Sequence, residues 1–260
     1  MNRITVITIC FNNPDDVIST CKSVDTQEQK PFEHLVIDGS TTPGIKNHLE
    51  KNPQPSYRRW ISEKDEGISD AFNKGVLKAN GDIVVMLNAG DTFYDDHAIG
   101  IAAIAFEKDN NLQWLHSKYE LHRGNTWIII GKPFAKSKMY RGMRSICHQT
   151  MFVKKSLHDK YGLYDPQLKI AMDYDFLLRI ANEKFIFLET PLVKFAPAGT
   201  STANYLLSLR EIRNSYEKYY DKSFFLELWQ IRLKILHYLL HTKLGKLLFK
   251  IKTRLKLENM

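Results

Sequence analysis

The chain has 260 residues, 43% of them hydrophobic, enough to bury one sizeable core. Its three cysteines, Cys10, Cys21 and Cys147, form neither a disulfide-type nor a metal-type spacing, and no run reaches about 18 uncharged apolar residues; a disulfide scaffold and a spanning helix are excluded, and a reducing cytoplasm is expected. The formal charge of +8 is lopsided: from residue 222 onward seven Lys and two Arg face only Glu227 and Glu258, so the rest is near neutral and gives no argument for nucleic-acid binding.

Met-Asn-Arg leads directly into Ile4-Thr5-Val6-Ile7-Thr8-Ile9-Cys10, with no n-region, h-region or cleavage site, so neither secretion nor membrane spanning is expected. This β-branched run predicts a central strand. Phe11-Asn12-Asn13-Pro14 turns the chain, Pro14 to Val24 predicts a helix, and Glu33 to Ile37 a second strand, which completes a βαβ unit. Asp38-Gly39-Ser40 follows with good turn formers.

Ser69 to Lys78 predicts a helix stopped at Asn80-Gly81, with Ala71, Phe72, Val76 and Leu77 able to face a sheet. Asp70, Asn73 and Lys74 fall three and four residues apart on another side, a face able to hold a ribose, a sugar or a phosphate. Gly81 to Leu87 reads as a buried strand of a parallel sheet, ending at Asn88-Ala89-Gly90-Asp91. Ligands of open α/β sheets sit beyond the carboxyl ends of strands, which delivers Asp91 to the place of chemistry, and Gly90 permits close approach of a ligand.

Leu112 to Ile130 predicts a hairpin, Trp114 to Leu121 and Thr126 to Ile130 joined at Arg123-Gly124-Asn125. After a basic loop over 136–144, Cys147 to Val153 predicts a strand opening on His148 and Gln149. Ala171 to Arg179 predicts a helix whose first turn carries Asp173 and Asp175, acids that capping and the helix dipole also favour. Phe185 to Leu188 and Leu192 to Phe195 are apolar segments. From Tyr205 the pattern turns helical: Trp229, Leu233, Leu236, Leu240, Leu244, Leu247 and Ile251 form one apolar stripe beside Lys243, Lys246, Lys250 and Arg254. Such a basic amphipathic tail can lie on an anionic membrane surface, or pack on its own domain or a partner chain, a homodimer included.

Glu63-x-Asp65-x-Gly67-Ile68-Ser69-Asp70-Ala71-x-Asn73-Lys74-Gly75, with Gly81-Asp82 and the strand ending in Asn88-x-Gly90-Asp91, resembles the nucleotide-sugar half of family 2 glycosyltransferases of the GT-A fold, in particular bacterial enzymes that build O-antigen, capsule or exopolysaccharide repeat units. The likeness runs from residue 3 to about 202. It implies an α/β fold in which a Rossmann-like nucleotide-binding half, 1–95, is fused to an acceptor half, 96–203, over a mixed central sheet flanked by helices, with 204–260 as a basic helical extension. Ala198-Gly199-Thr200-Ser201-Thr202 looks like the family element that closes the domain.

The resemblance also implies roles. Asp38 and Ser40 belong to the element that contacts the uridine; Thr8, Phe11 and Asn12 touch the nucleotide; Asp65, Gly67, Asp70, Asn73, Lys74 and Asn88 complete the donor site; and His148 contacts the diphosphate or a metal. Asp91 is the one carboxylate left of an Asp-x-Asp-Asp pattern, and would hold Mn²⁺ or Mg²⁺ together with the donor's diphosphate. Asp173 matches the general base, with Met172 where the family often has Glu. The implied activity is inverting, metal-dependent hexosyl transfer from a nucleotide sugar, a UDP-sugar, to a saccharide hydroxyl, the acceptor lipid-linked, in the cytoplasm or on the inner face of the cytoplasmic membrane.

Other classes fit less well. No Gly-x-Gly-x-x-Gly follows the first strand and no Walker loop is present, against a dinucleotide oxidoreductase. A sugar-nucleotide pyrophosphorylase would carry a Gly- and Arg-rich loop where Phe11-Asn12-Asn13-Pro14 stands. A nucleotide-binding partner subunit without turnover is kept in view by Met172 and Gly90.

Overall fold

In the computed structural model, residues 2–123, 126–144, 146–196, 204–242 and 245 are described. The first half alternates strand and helix: β1 (Ile4–Cys10), α1 (Pro14–Asp25), β2 (Glu33–Asp38), α2 (Gly44–Lys51), β3 (Arg58–Ser62), α3 (Ile68–Lys78) and β4 (Ile83–Met86). The second half adds β5 (Thr92–Phe93), α4 (Ala98–Lys108), β6 (Trp114–Arg123), β7 (Thr126–Ile130), β8 (Phe152–Lys154), α5 (Ser156–Tyr161), α6 (Met172–Ile180), β9 (Phe185–Phe195), α7 (Tyr205–Tyr219) and α8 (Phe224–His241).

The strands form one mixed sheet in the order β3-β2-β1-β4-β8-β6-β9-β5, with β7 paired to β6. β2 and β4 both run parallel to β1 on its two sides, so the strand order reverses there and a crevice opens beyond the carboxyl ends of β1 and β4. Alternate side chains of these strands serve opposite cores: Ile7, Val84 and Met86 face α3 and α6, while Val6, Ile83 and Val85 face α4. β8 then joins β4 antiparallel, which turns the sheet from its parallel half into the second half.

Two predicted elements change form. Residues 147–153 do not make one strand: Thr150 N–H and Oγ both return to the Cys147 carbonyl, at 3.0 and 2.8 Å, closing a 3₁₀ turn over His148–Thr150 before β8 begins. The segments 185–188 and 192–195 are a single strand, β9, whose parallel pairing with β6 shifts register between Ser117 and Tyr119. The hairpin is present with Arg123 opposite Thr126; its turn residues Gly124 and Asn125, like the element over 198–202, lie outside the described residues.

The helical end also departs from the expected stripe. On α8 the side turned to the domain carries Leu226, Gln230 and Leu233, whereas Leu236 and Leu240 are each 42% exposed. The Gln230 amide reaches the Leu209 carbonyl on α7 at 2.6 Å, which sets the rotation of the helix. Leu244, Leu247, Ile251, Lys243, Lys246, Lys250 and Arg254 lie outside the described residues. Among the described residues no helix is long and apolar enough to cross a membrane.

Candidate active site

The crevice at the strand ends is a cleft of about 590 Å³ whose walls include Phe11, Asp65, Gly67, Asn88, His148, Lys169 and Asp173. A second cavity of about 240 Å³, reaching Met143, Ser208 and Ile212, shares His148, Gln149, Ile170, Asp173 and Phe195 with the first. Asp173 therefore stands on the wall common to both.

Asp173 occupies the first turn of α6. Its Oδ1 accepts from the Tyr174 N–H at 2.7 Å, and its Oδ2 lies 3.3 Å from His148 Nδ1. On the far side of the ring, His148 Nε2 is 3.3 Å from Asn88 Nδ2. With the Asn88 amide nitrogen as donor, Nε2 accepts, so Nδ1 carries the proton and donates to the carboxylate. The 3₁₀ turn that replaces the start of the predicted strand is what aims His148 at Asp173. Both side chains remain partly open, at 21% and 23%, so an incoming hydroxyl can reach the acid. Met172 is buried in the core shared with Phe72 and Phe176; a carboxylate there would be stranded in apolar surroundings, and the imidazole supplies the orienting contact instead.

The loop before α6 is fastened from a distance. Glu211 of α7 is buried, and its carboxylate accepts from the backbone N–H groups of Lys169, Ile170 and Ala171 at 3.1, 2.8 and 2.9 Å. This anchor fixes the N-terminus of the helix that carries Asp173.

On the opposite wall, Phe11 is 56% exposed, a free aromatic face at the end of β1. Asp65 caps the turn into α3 by accepting from the Gly67 N–H at 3.0 Å. Its other oxygen lies over Gly39, where a Cβ would stand 1.7 Å from Asp65 Oδ2; only glycine admits this approach. Lys169 is the one Lys or Arg among the described residues lining the cleft.

Several residues expected at the donor are spent on the scaffold. Thr8 is fully buried; its hydroxyl donates to the Leu87 carbonyl at 2.8 Å and meets His34 Nε2 at 3.0 Å. Asp38 is buried, accepting from Ser40 N–H and Ser62 Oγ, each at 3.0 Å. Ser40 Oγ in turn accepts from the Asn12 N–H at 2.8 Å, and the Asn12 side chain ties Thr41 and Thr42, so neither residue lines the cleft.

The polar face of α3 is occupied as well. Asn73 clamps the Tyr164 backbone at both N–H and carbonyl, each at 2.9 Å. Lys74 pairs with Asp70 at 3.1 Å and Glu63 at 3.4 Å and donates to the Lys64 carbonyl at 2.7 Å. Asp70 accepts from the Glu66 N–H at 3.0 Å, a bond that holds its carboxyl below the usual carboxylate range. The acid, amide and ammonium thus brace the loops around the cleft.

The metal assignment to Asp91 does not fit. Asp91 is 3% exposed, its Oδ2 accepts from Gln149 Nε2 at 2.7 Å and its Oδ1 from the Ala196 N–H at 2.8 Å, and burial pushes its pKa up. Beside it Gly90 has φ of +96° and no side chain, and Asn88 Oδ1 is the oxygen left without a partner, a single neutral amide where a hard cation needs several oxygens. Among the described residues no group of three His, Cys, Asp or Glu could hold a metal ion, and the only carboxylate side chain outside them is Glu258.

Sequence reasoning names Gln149 without giving it a role, and does not reach Lys169 or Glu211. Gln149 follows His148 directly and its role could have been found by its neighbour, whereas Lys169 lies in an aperiodic loop and Glu211 is some forty residues from its partners.

The glycosyl transferase family 2 model matches residues 5–162. An uncharacterized glycosyltransferase of Mycobacterium tuberculosis is 33% identical over 181 residues, 68% of each chain. Among solved structures, a mannosyltransferase of Pyrobaculum calidifontis in complex with GDP-Man and Mn²⁺ aligns with a TM-score of 0.67 at 15% identity, covering 99% of this chain and 81% of that one. S. aureus TarS 1-349 in complex with UDP-GlcNAc aligns with a TM-score of 0.63 at 16% identity, over 85% and 68%; of a longer TarS chain the match spans 40%. At these identities the likeness concerns the fold, and it is to GT-A glycosyltransferases.

Proposed function

Because the chain belongs to glycosyl transferase family 2, we propose that it transfers a hexosyl group from a nucleotide sugar, a UDP-sugar, to a hydroxyl of a saccharide acceptor, with inversion at the anomeric carbon. The observation that carries this reading is Asp173 on the wall between two cavities, one large enough for a sugar nucleotide and one open beside it.

The donor occupies the larger cleft, its base against the Phe11 ring, with Asp65, Gly67 and Asn88 along its length. The acceptor hydroxyl enters from the smaller cavity. Asp173 Oδ2 takes its proton, the freed oxygen attacks the anomeric carbon from the face opposite the diphosphate, and the bond from that carbon to the diphosphate oxygen breaks. One displacement with one base inverts the configuration and needs no covalent enzyme intermediate. His148 keeps the reacting oxygen of Asp173 in line, a positioning role in place of the diphosphate or metal contact expected for it. Lys169 meets the charge that develops on the departing diphosphate. The acceptor we assign is a lipid-linked saccharide in bacterial surface polysaccharide synthesis, as the resemblance of residues 63–91 suggests.

The test is transfer and donor hydrolysis over a panel of UDP- and GDP-sugars, comparing the wild type with Asp173→Asn and Lys169→Ala. Loss of turnover in both, with donor still bound by Asp173→Asn, is the expected result. Turnover by Asp173→Asn at the wild-type rate would remove the assignment of the base.

A further inference from the structure

The outer face of α8 is apolar and uncovered. Phe224, Leu228, Ile231, Ile235 and Leu239 recur at spacings of four and three, and are 70, 48, 51, 53 and 50% exposed. They lie opposite Leu226, Gln230 and Leu233, so the helix has one apolar side in the domain and another toward solvent. A contiguous apolar stripe of this length on a charged protein marks a surface that something covers.

The rim of the stripe says what. The guanidinium groups of Arg141, Arg144 and Arg232 stand 5.0, 5.2 and 5.0 Å from the ring of Trp229, and none has a carboxylate partner among the described residues. Within residues 222–242, Lys222, Arg232 and Lys234 face only Glu227, which Arg213 already binds at 2.6 Å, and Arg141 and Arg144 add to them, so a second copy seated on this face would meet its own charge. Apolar side chains flanked by an indole and by arginines without a carboxylate partner suit the boundary between acyl chains and anionic headgroups.

We propose that α8 docks this protein on an anionic bilayer, with Phe224, Leu228, Ile231, Ile235 and Leu239 in the interface and Arg141, Arg144 and Arg232 among the headgroups. The smaller cavity approaches that contact at its arginine rim. Met143, between the first two arginines, lines it, as do Ser208 and Ile212 of α7, on which α8 packs through Gln230. Resting on the glycosyl-transfer reading, the docked pose presents the acceptor cavity to the lipid surface, which favours an acceptor carried on a lipid.

The test is co-sedimentation of the full chain with phosphatidylcholine vesicles, with and without phosphatidylglycerol, for the wild type, for Arg141→Gln/Arg144→Gln/Arg232→Gln and for Leu228→Gln/Ile231→Gln/Ile235→Gln. The wild type is expected to bind the anionic vesicles and to be released by salt. At about fivefold per charge, the arginine variant is expected to bind on the order of a hundredfold more weakly, and the apolar variant to lose binding. Donor hydrolysis by both variants is expected at the wild-type rate, which shows them folded; if hydrolysis is absent in the wild type too, the transfer reading fails while the vesicle result still stands. Equal sedimentation of all three proteins, or none by the wild type, would overturn the proposal. So would concentration-dependent self-association without lipid that the apolar variant abolishes, because the stripe would then belong to a second copy.

Discussion

His148 Nδ1 faces Asp173 Oδ2 at 3.3 Å, while the other ring nitrogen is held by Asn88. An acid at the head of a helix and an amide at the end of a strand are thereby linked through one ring, so the proposed base is oriented from the side of the cleft proposed for the donor. Asp173→Asn is expected to lower kcat by about 10² to 10⁴. His148→Phe is expected to lower kcat by about 10² with donor KM unchanged, because a misaimed base costs rate and not binding. His148→Gln, which keeps an N–H for the carboxylate, is expected to recover part of that loss. A rise in donor KM at constant kcat for His148→Phe would instead make the residue a donor contact.

Turnover is expected to persist after dialysis against EDTA, since both oxygens of Asp91 are bonded within the protein. Asp91→Asn places an amide nitrogen against one of two donors, Gln149 Nε2 or the Ala196 N–H, and is expected to cost about 1 to 3 kcal/mol in urea unfolding. Loss of activity on chelation and its return with Mn²⁺ would contradict this account.

Asn73→Ala removes both hydrogen bonds to the Tyr164 backbone and is expected to destabilise the fold by about 2 kcal/mol, read from denaturant unfolding, with donor KM unaltered. A weakened donor with normal stability would return Asn73 to the binding site.

Gly39→Ala would drive a methyl group into the Asp65 carboxylate, 1.7 Å from the position of its Cβ. The acid must move off the Gly67 N–H, and donor KM is expected to rise by about tenfold, the worth of one such contact. Steady-state kinetics against donor concentration check it.

His158 stacks on Phe176 at 4.2 Å with both ring nitrogens buried and unpartnered among the described residues, and burial pushes its pKa down to about 3. Because the unfolded chain takes up this proton near pH 6.5 and the folded one does not, the contribution to stability is whole above pH 6.5 and falls by about 1.4 kcal/mol per pH unit below it, toward the folded value. His158→Phe keeps the stack and abolishes the titration, so its unfolding midpoint is expected to depend less on pH between 6.5 and 4. Parallel curves for the two proteins would remove the assignment.

The parallel half of the sheet was legible because its strands are continuous apolar runs punctuated by turn formers: β1 spans the predicted residues, and α3 and β4 differ only at their ends. Asp173, Phe11, Asp65 and Asn88 were likewise found in the cleft through motif spacing. The failures have a common physical cause. Spacing tells which polar residues share a helix face, as Asp70, Asn73 and Lys74 do, but not that loops from 63–66 and 164 fold over that face and consume it. The partners of Asp91, Gln149 and Ala196, are distant in the chain, so spacing does not reveal them either. The helical end was read from one stripe, although α8 is apolar on two sides and only Gln230, a polar residue, reveals which is inside.

The three backbone N–H groups gathered by Glu211 tie the chemistry to a helix outside the mixed sheet. A protein cut short before α7 would keep every residue proposed to touch the donor, yet the proposed base would hang from an untethered loop. Severing the chain there should separate the ability to hold a nucleotide from the ability to use it. By the same token, α7 is a lever: any partner or surface that displaces it changes the rate without touching a substrate.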